Sequence, residues 1–265
     1  MMTRARTIVR PLSLRGPGMF SRRPVELRMR PAERGAGLSF RPGLKVEPNR
    51  ARAGVHCTVL TRRQVKVSAV EHLLAACAGL GVTDVEFDCP GGEPPFGDGS
   101  SLPFVRALLR AGLRDAGLRL PMVVREPALV QADGGYAIAC PGRGLRVTCV
   151  TNFPWVGPES FEWTPGPGRF ERELAGARTV ALTRESATDL GRELGLRFAL
   201  CRRGEFVLPA RPRMAGEACR HKLLDLLGDL VLLGRPVAAH LFVFRPGHRL
   251  NLELVRRLDI QKEER

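Results

Sequence analysis

The sequence is poor in aromatic and in acidic side chains. Aromatic residues make up 6% of its 265 residues, with a single tyrosine, which leaves few rings on which nucleic acid bases could stack. It has 42 lysines and arginines against 27 aspartates and glutamates, a net charge of +15. This excess suits phosphates, nucleic acid or an acidic membrane surface, although a genome biased toward arginine codons would also produce it.

The sequence also lacks paired cysteines and long apolar runs. Its seven cysteines form no CxxC pair, and their odd number favours reduced thiols and a cytoplasmic protein. The N-terminus has no apolar run of signal-peptide length. The longest apolar region, 223–244, is interrupted by Asp225, Asp229, Arg235 and His240, so we expect no membrane-spanning helix.

The hydrophobic periodicity changes several times along the chain. Short strands over 7–47 precede a helix over 65–80, which Ser68 would cap. A strand over 82–90 and a second helix over 102–113 follow. The second half repeats this outline loosely. Strands are predicted at 121–131, 135–140 and 145–152, followed by a Pro/Gly-rich stretch at 153–168 and by helices near 170–176, 184–194 and 216–233. A strand at 238–244 and a helix at about 248–258 complete it.

This order of elements predicts an α+β fold with two similar domains, residues 1–118 and 119–265. Each domain is expected to be a small mixed sheet packed on a pair of helices. We expect the active site to lie between the domains.

The stretch "CRHKLLDLLGDL" (219–230) carries polar residues that a leucine-rich helix does not need for folding. His221 and Asp225 are four residues apart, so both side chains point to the same side of a helix, and Asp229 continues that line. An imidazole and a carboxylate at this spacing are good ligands for zinc or a similar divalent metal. Alone the pattern is weak, because such residues are more often structural.

A second polar pair, Glu71 and His72, sits within the other well-patterned helix. The pair would be unremarkable on a half-exposed helix. Alternatively, His72 supplies a third metal ligand and Glu71 acts as a general base for the metal's water. Three protein ligands with an open position are typical of a catalytic zinc site.

Five segments, in this order and at comparable spacing, resemble UDP-3-O-acyl-N-acetylglucosamine deacetylases, the zinc amidases of lipid A biosynthesis. The segments are "VSAVEHLLAACAGLGV" (67–82), "GDGSSLPFV" (97–105), "GARTVAL" (176–182), "RHKLLDLLGDL" (220–230) and "FRPGHRLNLELV" (244–255). The resemblance covers most of the chain. It implies hydrolysis of the substrate's N-acetyl group with release of acetate.

The resemblance also implies a role for each matched residue. The metal ligands would be His72, His221 and Asp225, holding Zn²⁺, with Glu71 as the base. His248 would protonate the departing amine.

Other positions are implied to assist. Asp229 would orient His248, and Thr179 would help to bind the oxyanion. The substrate-binding positions would be Lys222, Cys57, Met19 and Val180. His56 and His240 match no such position, and we interpret them as structural.

Three places depart from the family pattern. The family's G-x-G-L-H-x-G reads "GPGMFSR" at 16–22, without the histidine and the final glycine. Its G-G-S-x-D-N motif, in a region that walls the acyl-chain passage in relatives, is replaced within "RFALCRRGEFVLPARPRMAGEA" (197–218). Val180 stands where Phe is common. These departures concern the substrate more than the chemistry.

Two other hypotheses remain beside the deacetylase. A divergent zinc amidase acting on another N-acyl sugar or amide would keep the same catalytic residues. A basic module binding nucleic acid or anionic lipid would need neither Glu71 nor His248. For the deacetylase we expect a cytoplasmic monomer with a UDP-sugar lipid substrate and no nucleic acid partner, and its arginines would allow peripheral contact with the inner membrane surface.

Overall fold

The structure, a computed structural model, describes residues 2–153, 156–181, 200–203, 206–208 and 212–263. It combines several sheets, some of them mixed, with a few helices, so the α+β prediction is confirmed. Within these ranges no helix has both the length and the apolar composition to cross a bilayer.

The first half of the chain builds a mixed sheet from two hairpins and one inserted strand. Its strands are β1 (Thr3–Ile8), β2 (Leu12–Pro17), β3 (Pro24–Pro31), β4 (Leu38–Phe40), β5 (Leu44–Lys45), β6 (Ala51–Ala53), β7 (Thr58–Arg62), β8 (Val65–Ser68) and β9 (Val85–Asp88), and its helices are a short 3-10 helix (Pro48–Arg50), α1 (Glu71–Leu80) and α2 (Leu102–Ala111). The main sheet has the order β2-β3-β9-β4-β5, and β9 is antiparallel to β3 and parallel to β4. β6, β7 and β8 form a separate antiparallel sheet.

The second half contains a similar sheet. Its strands are β10 (Leu113–Arg119), β11 (Met122–Val123), β12 (Ala128–Ala132), β13 (Gly135–Pro141), β14 (Leu145–Phe153), β15 (Gly157–Trp163), β16 (Val180–Ala181), β17 (Leu200–Arg203), β18 (Phe206–Leu208) and β19 (Val237–Phe244), and its helices are α3 (Arg169–Glu173), α4 (Glu217–Leu230), a 3-10 turn (Val231–Leu233) and α5 (His248–Glu263). The main sheet runs β12-β13-β19-β14-β15, with β11 also paired to β19. β16, β17 and β18 form a small sheet, and β10 pairs with β1.

The two main sheets share one strand order. In each, two hairpins are made first, and a later strand then inserts between them, antiparallel to one hairpin and parallel to the other. In each half one helix comes before the inserted strand and another helix comes after that strand. By this order α1 corresponds to α4, and α2 corresponds to α5.

Helices α1 and α4 pack directly on each other at the centre of a continuous apolar core. Gly228 of α4 permits this close approach, because a Cβ there would lie 2.2 Å from the carbonyl oxygen of Glu71. A larger residue would push the helices apart. The contact sets the first turn of α1 against the last turn of α4.

The start of the first helix and its capping residue were predicted wrongly. The first helix starts at Glu71 rather than near 65, because 65–68 pairs with β7 as strand β8. Ser68 therefore does not cap the helix, and Val70 takes the preceding position without a side-chain hydrogen bond. The Pro/Gly-rich stretch contains strand β15, whose Pro158 is tolerated at the sheet edge. The helix expected at 184–194 lies outside the described residues.

Candidate functional site

Three potential metal ligands converge where α1 meets α4. One ligand atom each of His72, His221 and Asp225 lies within 4.8 Å of the others. Asp225 Oδ1 is 3.4 Å from Nε2 of both histidines. Helical spacing brings His221 and Asp225 together, and the packing of α1 on α4 adds His72.

The buried ring of His221 is held in one tautomer. Its Nδ1 lies 3.0 Å from the carbonyl oxygen of Ala177, and a carbonyl can only accept, so Nδ1 carries the hydrogen. Nε2 is left with a lone pair facing Asp225. Burial lowers the pKa of His221 to about 3, despite the opposing charge of Asp225, which keeps the ring neutral at pH 7 as metal binding requires.

Asp225 offers one oxygen to the cluster and anchors the other. Its Oδ2 accepts a hydrogen bond from Lys222 Nζ at 2.9 Å. Its buried Oδ1 has no hydrogen-bond partner among the described residues, an arrangement that is costly unless a cation binds there. Burial raises the pKa of Asp225, but the interactions with His221 and Lys222 outweigh burial and hold the pKa well below its usual value. Two imidazoles and one carboxylate therefore fit a divalent metal such as zinc.

Glu71 stands beside this cluster without joining it. Its side chain is 5% exposed, and Oε2 accepts a hydrogen bond from the backbone N–H of Thr58 at 2.9 Å. Oε1 lies 4.0 Å from Nε2 of His248. Burial raises the pKa of Glu71, and the charge of His248 opposes that rise.

His248, the first residue of α5, faces a second buried carboxylate. Its Nδ1 is 3.4 Å from Asp229 Oδ2. Burial lowers the pKa of His248, but the hydrogen bond to Asp229 and the charge of Glu71 prevail and raise it to about 9. His248 is therefore protonated at pH 7, with Nε2 directed toward Glu71.

The chain matches one protein family over almost its whole length. The model of the LpxC family, UDP-3-O-acyl N-acetylglycosamine deacetylase, matches residues 5–259. The chain belongs to this deacetylase family.

Curated relatives carry the name UDP-3-O-acyl-N-acetylglucosamine deacetylase. The protein of Solibacter usitatus is 36% identical, over 95% of this chain and 90% of the relative. That of Myxococcus xanthus is 34% identical, over 96% and 85%. That of Anaeromyxobacter sp. strain Fw109-5 is 36% identical, over 96% and 88%. The recognition from the five segments is thus confirmed.

Two residues that contact Asp229 and His248 were not predicted from the sequence. The buried hydroxyl of Thr58 lies 2.6 Å from Asp229 Oδ1 and 3.1 Å from His248 Nδ1. Asn251 donates from Nδ2 to Asp229 Oδ2 at 2.9 Å. Asn251 follows His248 by three residues on α5, a helical spacing that could have revealed it, whereas no local pattern marks Thr58.

The remaining matched residues surround the cluster at different depths. Lys222 touches it through Asp225. Thr179 is half-buried, two residues beyond the carbonyl that holds His221, and its backbone N–H donates to Gly99 O at 2.8 Å. Cys57 is buried next to Thr58, and burial raises the pKa of its thiol to about 12.

The other two predicted binding positions are Met19 and Val180. Met19 occupies a half-buried turn in which Glu93 accepts hydrogen bonds from the backbone N–H groups of Phe20 and Ser21. This is the turn in which the family histidine is missing. Val180 begins β16, and its side chain lies outside the described residues.

The two histidines interpreted as structural make no contact with the cluster among the described residues. His56 is exposed and has a positive φ of 56°. His240 pairs its Nε2 with the hydroxyl of Thr148 at 3.0 Å on the outer face of the second sheet.

Proposed function

We propose that this chain hydrolyses the N-acetyl group of UDP-3-O-acyl-N-acetylglucosamine and releases acetate, as a step of lipid A biosynthesis. One observation carries the proposal beyond family membership. A metal-type cluster, a buried carboxylate and a protonated histidine meet at a single place. These three kinds of group suit amide hydrolysis, because in that reaction water must be activated, negative charge stabilised and the amine protonated.

His72, His221 and Asp225 would hold the metal, which we propose to be Zn²⁺. Bound there, the metal would supply a Lewis acid and lower the pKa of a bound water. The unpaired oxygen of Asp225 and the fixed tautomer of His221 support this assignment. Both atoms point into the cluster with their lone pairs available.

Glu71 would accept the proton of the attacking water. The backbone N–H of Thr58 holds Oε2, which leaves Oε1 for the reaction. Burial raises the pKa of Glu71 and makes its carboxylate a stronger base than an exposed one. Its position next to His72 in the sequence keeps it beside the ligands without making it one.

His248 would donate the proton from Nε2 to the departing nitrogen. An amine is a poor leaving group until it is protonated, so the acid must keep its proton at the pH of the cytoplasm. The raised pKa of about 9 supports this role. Asp229 balances the charge of the imidazolium from the Nδ1 side.

Residues around the cluster would bind the substrate. Thr179 would stabilise the oxyanion with its hydroxyl, and Lys222 would place a positive charge near the substrate. Burial lowers the pKa of Lys222, but the interaction with Asp225 outweighs burial and raises the pKa above its ordinary value, so the ammonium stays charged. Cys57, Met19 and Val180 would line the sugar and acyl sites.

We further propose that the chain is divided into two similar domains at about residue 118, with the active site between them. The strand order shared by the two main sheets supports this division. The helices that supply the ligands, α1 and α4, come from opposite sides of the boundary.

We also propose that the protein is a cytoplasmic monomer that touches the inner membrane surface. The six cysteines whose side chains are described are free, as expected in a reducing compartment. The net charge of +15 would favour the pyrophosphate of the substrate and anionic lipid head groups.

The test is acetate release from UDP-3-O-acyl-N-acetylglucosamine by the zinc-loaded protein. Glu71→Gln keeps the size of the side chain but removes the base, and we expect it to abolish activity. Glu173→Gln, which loosens a surface ion pair with Arg169, is the matched control and should be fully active. A wild-type protein that binds one zinc but releases no acetate would contradict the proposal and favour an amidase for another N-acyl sugar or amide.

A further inference from the structure

We infer that Thr58 is a positioning residue that fixes the acid His248 and the base Glu71 relative to each other. The inference rests on the proposed function, because it concerns groups that act in that reaction. Thr58 is the first residue of β7 and is fully buried. Through its backbone and its hydroxyl it contacts Glu71, Asp229 and His248.

The directions of its hydrogen bonds follow from donor and acceptor chemistry. An ionised carboxylate only accepts, so the Thr58 hydroxyl donates to Asp229 Oδ1 across 2.6 Å. The hydroxyl oxygen then has lone pairs left for the Nδ1–H of His248 at 3.1 Å. With Nδ1 held between Thr58 and Asp229, the ring directs Nε2 toward Glu71.

The backbone of Thr58 fixes the base from the other side. Its N–H donates to Glu71 Oε2 at 2.9 Å, and its carbonyl oxygen accepts from Val70 N, directly before Glu71, at 3.4 Å. The start of α1 is therefore joined to the same residue that holds His248. Glu71 and His248, which are far apart in the sequence, are thus both held by Thr58.

The side chain of Thr58 can be changed without unpairing Asp229 completely. Asn251 donates to the other carboxylate oxygen, and His248 remains beside it. The backbone bonds to Glu71 and Val70 do not need the hydroxyl. Thr58→Val, of nearly the same shape, therefore removes the two contacts of the hydroxyl, with Asp229 Oδ1 and His248 Nδ1, and leaves the backbone contacts in place.

The experiment compares Thr58→Val, Thr58→Ser and Thr7→Val in zinc-loaded protein. For Thr58→Val we expect kcat to fall about 10- to 100-fold, the cost of losing a hydrogen bond to charged groups, with KM within about twofold of wild type. Thr58→Ser keeps the hydroxyl and should restore most of kcat. Thr7→Val removes a buried hydroxyl bonded to the Asp84 carbonyl, outside the site, and should leave kcat unchanged even if thermal stability falls.

A second readout does not depend on turnover. The chain has only five histidines, so the ring N–H signals of a ¹⁵N-histidine sample can be assigned, His248 by its loss in His248→Gln. We expect a slowly exchanging Nδ1–H of His248 in the wild type and in Thr58→Ser, and faster exchange with a shifted resonance in Thr58→Val.

The outcomes separate this inference from the proposed function. Unchanged kcat in Thr58→Val, or an unchanged His248 signal, would overturn the positioning role while leaving the deacetylase assignment in place. Wild-type protein that releases no acetate would defeat the proposed function, and the NMR comparison would still decide whether Thr58 holds His248. A Thr58→Ser variant as impaired as Thr58→Val would also overturn the role of the hydroxyl.

Discussion

The surroundings of His221 and His248 give two buried histidines of one site opposite properties. Burial lowers the pKa of both rings. For His221 it prevails, and the pKa falls to about 3. For His248 the hydrogen bond to Asp229 and the charge of Glu71 prevail, and the pKa rises to about 9.

The two pKa values differ because the carboxylate beside each histidine has different hydrogen-bond partners. Asp225, beside His221, is bound on its other oxygen by the cation of Lys222, which offsets its charge. Asp229, beside His248, is held by the neutral groups of Thr58 and Asn251, which leave its charge in place. The neighbours, rather than the depth of burial, suit one ring for a metal and the other for a proton.

Loss of the neutral ring should have the largest effect. His221→Ala removes one of three proposed ligands, so we expect it to lose both the metal and detectable acetate release. The loss of metal affinity should exceed the roughly 10- to 100-fold cost of mutating a residue behind a ligand. Metal analysis after gel filtration is the measurement, and a variant that still retains one zinc per chain would contradict the assignment.

Loss of the protonated ring should spare the metal. We expect His248→Gln to lower kcat by about 10²- to 10⁴-fold, the usual contribution of a general acid, at unchanged zinc content. His240→Gln is the matched control, because His240 bonds to Thr148 outside the site, and it should behave as wild type. Zinc loss in His248→Gln would erase the proposed distinction between the two rings.

The pH profile should report the pKa of His248 directly. In the wild type, kcat/KM should decline as the pH rises through about 9, because His248 then loses its proton. Asp229→Asn removes the carboxylate that raises this pKa while burial remains, so the decline should begin at lower pH. Above the lowered pKa, the protonated fraction of the enzyme should fall about tenfold for each further increase of one in pH. A basic limb that stays in place would exclude His248 as the group observed.

The smallest change should come from the packing that keeps the two surroundings adjacent. A methyl group at Gly228 would collide with the Glu71 carbonyl, so Gly228→Ala should lower the free energy of unfolding by about 1–3 kcal/mol and reduce activity partially. Gly144→Ala is the control, because a Cβ there meets nothing within 4 Å. Thermal unfolding of both variants is the measurement. Equal midpoints would show that the helices can separate at no cost.

The sequence predicted what depends on local spacing. Helix α4 follows from the spacing of its leucines, and the pairing of His221 with Asp225 follows from their four-residue separation. The strand order of the sheets and the meeting of α1 with α4 depend on contacts distant in sequence, and periodicity does not report these. The resemblance to the family supplied His248 and Asp229.

The missed features have separate physical reasons. Thr58 is 171 residues from Asp229 and 190 from His248, so no local pattern links them. The start of α1 was placed too early because the helix was extended over "VKVS". The alternation of this segment suits a strand, and it pairs with β7. Strand β15 was not predicted because glycines and prolines near it usually indicate a loop. An edge strand tolerates them.

The shared strand order also bears on the history of the molecule. A tandem duplication of one gene segment, followed by fusion of the copies, leaves such an order behind when the residues themselves have diverged. On that history, α1 and α4 would derive from one ancestral helix. Glu71 and His72 lie on one of these helices and His221 and Asp225 on the other, so each half carries only part of the proposed site, and neither half could be lost without losing it.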